Sequence, residues 1–98
     1  LNPSDRPTAI FTNSDEVAVG VIDELQRQHF RVPDDMAVMG YDDQPFAAVA
    51  QVPLTTVRQP VAAMAKMAVD QLLPHLGRLD RPELTIDLKL DLIRRKSA

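Results

Sequence analysis

Two short apolar runs bracket an amphipathic stretch, and this pattern constrains the chain more than any other feature. Thr8-Ala9-Ile10-Phe11-Thr12 is β-leaning and bounded by Pro7 and the polar cluster Asn13-Ser14-Asp15, so it reads as a buried strand. Met36-Ala37-Val38-Met39-Gly40-Tyr41 is almost wholly apolar, as expected of a strand buried on both faces. Between them, Ala18, Val21, Ile22 and Leu25 fall on one side at helical spacing while Asp23, Glu24, Gln26 and Arg27 fall on the other, which predicts a helix over about 15–29. Asn13 or Ser14 supplies its cap, Asn13 and Glu16 have capping-box spacing, and Asp15 and Glu16 suit the positive end of the helix dipole. Pro33 ends the segment by disfavouring helical geometry at Val32. Strand, helix, strand in so short a span is a βαβ unit with parallel strands and a right-handed crossover.

The second half is less regular. Asp42-Asp43-Gln44-Pro45 breaks the second strand, and the Ala-rich loop around Phe46 and Val49 suits a helical turn. Leu54-Thr55-Thr56-Val57 is a third strand candidate. Pro60 opens a second helix at the position where its missing N–H does no harm. Val61, Met64, Ala65, Ala68 and Leu72 form its apolar stripe, and Pro74 and Gly77 end it. From Leu84 to Leu92 apolar and polar residues alternate, the period of a half-buried strand. Arg94-Arg95-Lys96 reads as a solvated basic end.

Composition narrows the function classes. Among 98 residues, 14 acids and 11 bases give a formal charge of −3, and no basic cluster offers the phosphate neutralisation that nucleic-acid binding needs. No apolar run is long enough to span a membrane, and no leader-like segment is present. With no cysteine, disulfides, thiolate metal sites and a Cys nucleophile are excluded. His29 and His75 lack partners at metal-ligand spacing. No G-x-S-x-G, phosphate-cradling glycine loop or H-E-x-x-H occurs, so neither a catalytic residue nor a metal site is assigned and no cofactor is expected. The chain begins with Leu1 and enters a strand almost at once, which suggests a piece of a longer protein.

Ligands of open parallel α/β sheets bind beyond the carboxyl ends of the strands. Asn13-Ser14-Asp15 and Asp42-Asp43 occupy that position. If the strands are neighbours, Ser14 and Asp42 share one rim. A carboxylate there accepts from hydroxyls and nearby backbone N–H groups donate, which suits a neutral polyol. Both clusters are equally consistent with a plain helix cap and a plain turn.

The order of residues adds a resemblance. Arg6-Pro7-Thr8-Ala9-Ile10-Phe11, Ser14-Asp15-Glu16-Val17-Ala18-Val19-Gly20, Arg31 through Asp43 with its Gly40-Tyr41-Asp42-Asp43 ending, Pro53-Leu54-Thr55-Thr56-Val57-Arg58-Gln59-Pro60, and Leu92-Ile93-Arg94-Arg95-Lys96-Ser97 together resemble the C-terminal part of a LacI/GalR-family transcription regulator. The likeness runs from about Arg6 to Ser97. It implies an α/β fold that is part of a periplasmic-binding-protein-like type I core: three layers, α/β/α, around a mostly parallel sheet, incomplete in this chain. It also implies that about 1–58 and 90–98 belong to the C-terminal lobe of that core and about 60–84 to the N-terminal lobe.

By position, the resemblance makes Asp42 an effector-contacting aspartate and Gln59 a polar residue on a hinge crossing. Ser14 stands where many members have Asn, so its hydroxyl reaches less far. Val17, Val21, Glu24, Phe46 and Val49 fall where the family builds its isologous dimer. The implied partners are a small effector, commonly a carbohydrate, a second copy of the chain, and operator DNA only through a helix-turn-helix outside this sequence; no membrane is involved and the setting is cytoplasmic. A periplasmic sugar-binding transport protein with the same core is the alternative. Strands with too few partners in the chain predict association into a dimer or larger, with exchange of elements as one route.

Overall fold

The bracketing strands pair in parallel, as their spacing predicts. The computed structural model describes residues 5–77 and 85–98. β1 (Ala9–Phe11) pairs with β2 (Ala37–Met39) in the register Ala9–Ala37, Ile10–Val38 and Phe11–Met39. The crossover between them is α1 (Asp15–Arg27), two residues shorter than its periodicity suggests. Its cap is Ser14, in extended geometry, whose hydroxyl accepts from the Val17 N–H at 3.2 Å. The capping-box pairing of Asn13 with Glu16 is therefore not the one used.

Two units are described. The first comprises residues 1–58 with 91–98, the second residues 59–90. In the first unit β2 continues alongside the Thr55–Arg58 segment. A parallel bridge joins Met39 to Thr55, the Gly40 N–H donates to the Thr55 carbonyl at 2.9 Å, and the Asp42 N–H donates to the Val57 carbonyl at 2.8 Å. β3 (Thr56–Arg58) pairs antiparallel with β4 (Asp91–Ile93), with Val57 opposite Leu92. The strand predicted at Leu54–Val57 is thus shifted toward Arg58, with Leu54 sunk into the core. Ala18, Ile22, Met36, Val38, Ala47 and Leu54 form that core, with Ile10, Val21 and Leu25 packed on its edge. The apolar face read from α1 is the face that faces it. A 3-10 turn, Pro45–Ala47, follows β2 and buries Ala47.

Two expectations change. β1 is not buried: Phe11 is 63% exposed, because among the described residues β1 pairs with β2 alone. The alternation over 84–92 forms a ladder only at Asp91–Ile93. Leu84 lies outside the described residues, and 85–90 is extended without a strand partner among them. Alternation specifies which side of a strand is apolar, but a ladder still needs a neighbour to accept its hydrogen bonds.

The second unit contains α2 (Val61–Leu72), entered at Pro60 and followed by a 3-10 turn at Leu73–His75 and by Gly77 at φ 78°. No residue of α2 is buried. Its stripe borders an apolar hollow of about 590 Å³ lined by Gln59, Met64, Met67, Gln71, Ile86 and Leu88, among others.

Candidate functional site

The parallel pairing brings the carboxyl ends of β1 and β2 to one rim, and hydrogen bonds then fasten the two tips together. The Thr12 N–H donates to the Met39 carbonyl at 2.9 Å, and the Thr12 hydroxyl donates to the Ser14 carbonyl at 2.8 Å. One turn further on, the Asp15 N–H donates to the Tyr41 carbonyl at 3.1 Å. Ser14 and Asp42 therefore belong to adjacent tips, one launching α1 and the other leaving β2.

Asp15 is the residue that shapes the rim. It is fully buried, which its place in the first helical turn did not foretell. One carboxylate oxygen accepts from the Gln44 N–H at 2.6 Å and the other from the Thr56 hydroxyl at 2.6 Å. The Thr56 hydroxyl in turn accepts from the Asp43 N–H at 3.3 Å. A buried carboxylate is tolerable only when its lone pairs are met, and here one donor comes from the tip after β2 and the other from the first residue of β3. Gly40 is required by the same closeness: a Cβ there would collide with the Asp15 side chain and stand 2.9 Å from Leu54 Cδ2.

The tip itself is unusual. Asp42 has φ 115° and Asp43 φ 55°, successive residues in a region that side chains other than glycine seldom enter. Such geometry persists only where surroundings fix it, and it concentrates at ligand sites. The Asp42 side chain is half-buried. Asp43 points into an ion-pair cluster: its Oδ2 accepts from Arg58 Nε and its Oδ1 from Arg95 Nη1, both at 2.8 Å. Burial pushes the Asp43 carboxyl up, but hydrogen bonds and charges from Arg95 and Arg58 outweigh it and hold it below the ordinary carboxylate range. Arg95 also donates to the Leu54 carbonyl at 3.0 Å. The basic end is therefore not simply solvated, since Arg95 is structural.

The adjacent threonines have opposite tasks. While Thr56 serves the tip, Thr55 fixes the C-terminal segment: its hydroxyl accepts from the Arg95 N–H at 2.8 Å and donates to the Ala98 carbonyl at 3.0 Å, and its N–H donates to the Ser97 hydroxyl at 2.8 Å. Ser97 then donates to the Val38 carbonyl at 2.6 Å.

Gln59 belongs to the second unit and lines its apolar hollow. On the first unit, Val17 and Val49 are exposed, Val49 at 82%, whereas Val21 packs half-buried on the core. Glu24 accepts from Arg27 at 2.8 Å and from Gln28 at 2.9 Å, and Phe46 sits half-buried in the turn after Pro45. No cluster of metal-binding side chains occurs among the described residues, and no helix among them is long and apolar enough to cross a membrane.

Sequence reasoning placed Asp15 and Asp43 in the two polar clusters without these roles, and it missed Thr56 and Arg95. The available signals were the glycine immediately before Tyr41 and a Thr-Thr pair whose side chains must leave a strand on opposite faces.

Known proteins resemble this chain over its whole length. The family described as a periplasmic binding protein-like domain matches residues 1–98. The ribose operon repressor of Haemophilus influenzae is 39% identical over 97 residues, covering 99% of this chain and 29% of that protein. Among solved structures, a LacI family transcriptional regulator from Lactobacillus casei with bound sucrose superimposes with a TM-score of 0.81 at 59% identity, over 100% of this chain and 36% of that one. The same regulator has been solved with bound glucose. The lac repressor dimer bound to operator and the anti-inducer ONPF matches with a TM-score of 0.77 at 28% identity, over 98% of this chain and 33% of that one. The chain thus spans less than a third of the length of the curated relative. It belongs to the periplasmic-binding-protein-like domain family, in the form carried by LacI-type transcription regulators.

Proposed function

We propose that the chain is the part of a LacI-type transcription regulator that senses a small carbohydrate and forms the dimer, and that the intact regulator reads operator DNA through a helix-turn-helix outside this sequence. The observation carrying the reading is the rim after β2. Asp42 is held at φ 115° beside the turn that launches α1, by hydrogen bonds from both flanks. A carboxylate so placed accepts from sugar hydroxyls, while the start of α1 favours the negative charge and suits the donors and acceptors of a polyol. The 59% identical regulator with bound sucrose supports a carbohydrate as effector.

On this reading Asp42 is the principal contact and Ser14 a shorter-reaching neighbour, its hydroxyl already engaged in capping α1. Gln59, by its family position, is a further polar effector contact. Residues 1–58 with 91–98 are the C-terminal lobe and 59–90 part of the N-terminal lobe. Val17, Val21, Glu24, Phe46 and Val49 contact a second copy around a two-fold axis. The effector stabilises one lobe arrangement and so shifts the population of the DNA-binding state. The protein is cytoplasmic and carries out no reaction of its own. The repressor names among the relatives favour a regulator over a transport protein.

The test is thermal unfolding of the intact regulator with sucrose, glucose and ribose in turn. A ligand at about a hundred times its dissociation constant stabilises the native state by about 2.7 kcal/mol, a clear rise in melting temperature. No shift with any of the three sugars contradicts the reading.

A further inference from the structure

We infer that Asp43 is a positioning residue: paired with Arg58 and Arg95, it clasps the Asp42 tip to the end of β3 and to the segment that follows β4.

The inference rests on the effector reading of the rim and names the residue that aims it. The chain leaves the first unit after Arg58 and re-enters it at Asp91. Arg58 ends β3, and Arg95 follows β4, the strand paired with it. One carboxylate therefore holds a guanidinium from the outgoing strand on one oxygen and a guanidinium from the segment after the returning strand on the other, both at 2.8 Å. The side chain of Asp43 is only 9% exposed and that of Arg95 17%, so both are largely shielded from water. Such pairs are screened little by salt and hold their geometry. The backbone of the same residue sits at φ 55° directly after Asp42 at φ 115°, and its N–H reaches the Thr56 hydroxyl.

The consequence is mechanical. Asp42 and Asp43 are consecutive residues in a backbone region that relaxes if released. Anything that shifts β3 at Arg58 or the segment after β4 at Arg95 pulls on Asp43 and turns Asp42.

Hydrogen exchange on the intact regulator tests this without a known effector. Asp43→Asn removes the charge and keeps the size. Arg58→Gln leaves Asp43 paired with Arg95 and alters a half-exposed side chain, so it decides the matter if Asp43→Asn does not fold. The expected result is faster exchange of the Asp42 and Asp43 amides by about tenfold, with the Ala37 and Val38 amides unchanged and near wild-type behaviour in Arg58→Lys. Unchanged exchange at Asp42 and Asp43 in both variants overturns the clasp, as does acceleration spread equally over Ala37 and Val38. Sucrose titration of Asp42→Asn separates this from the effector reading. If that variant binds sucrose as wild type does while the exchange result holds, the clasp stands and the assignment of Asp42 as the contact fails.

Discussion

Thr56→Val replaces a hydroxyl by a methyl of nearly the same shape at a position with no solvent exposure. Two interactions are lost together. The Asp15 carboxylate loses the 2.6 Å donor on one of its oxygens, and the Asp43 N–H loses its 3.3 Å acceptor. A hydrogen bond to a charged group contributes about 1.5–3 kcal/mol, and leaving the carboxylate oxygen buried without it carries the desolvation penalty in full. The long bond to Asp43 adds little, so the expected loss is about 2–4 kcal/mol. Thr56→Ser keeps the hydroxyl and removes one buried methyl, a loss of about 1 kcal/mol. Denaturant unfolding of the intact regulator and the two variants, compared at constant slope, measures both changes. In a thermal scan of a domain of roughly 200 residues the valine variant should melt roughly 4–16 °C lower. A burial argument alone ranks the variants oppositely, because valine keeps every buried carbon. If Thr56→Val proves as stable as Thr56→Ser, the Asp15–Thr56 bond does not hold the rim.

Gly40→Ala should destabilise by about 1–3 kcal/mol, since the added methyl has Asp15 Cα at 3.1 Å and Leu54 Cδ2 at 2.9 Å and neither can withdraw freely; chemical denaturation checks it, and an unchanged midpoint contradicts the close approach. Asp35 accepts from the Arg31 N–H at 2.7 Å and from its guanidinium at 3.1 Å, and the side-chain and backbone hydrogen bonds from Arg31 hold its carboxyl at about 2, below the ordinary 3.8. Because the folded value is the lower one, this contribution is complete above pH 3.8 and is lost as pH falls through about 2; carbon-detected NMR titration should show it, and Arg31→Ala should return the carboxyl toward its ordinary value. The Asp43 carboxyl, also held low, behaves in the same sense: the clasp is intact at neutral pH and opens only as pH falls below the ordinary carboxylate range.

The parts of this fold that were legible in the sequence are those governed by period. Ala18, Ile22 and Leu25 fall at helical spacing and pack inward, and the apolar run at Met36–Tyr41 contains β2 in parallel register with β1. Periodicity does not report neighbours, which is why Phe11 is exposed and why 85–90 alternates without a ladder among the described residues. The rim was half legible. Its location follows from strand polarity alone, and Ser14 as cap follows from its place before α1. Its wiring was hidden, because Asp15, Thr56 and Asp43 come from distant parts of the chain and each looks locally like a cap, a strand residue or a turn. An acid in the first turn of a helix is equally at home in water; only the tertiary approach of Gly40 and Thr56 turns Asp15 inward.

Isothermal titration of the intact regulator and its Asp42→Ala variant with sucrose tests the central claim most directly. Loss of a hydrogen bond to a charged group is worth about 1.5–3 kcal/mol, so the dissociation constant should rise roughly tenfold to hundredfold with melting temperature little changed. An affinity for sucrose equal in the two proteins would show that the carboxylate after Tyr41 is not where this protein meets its ligand.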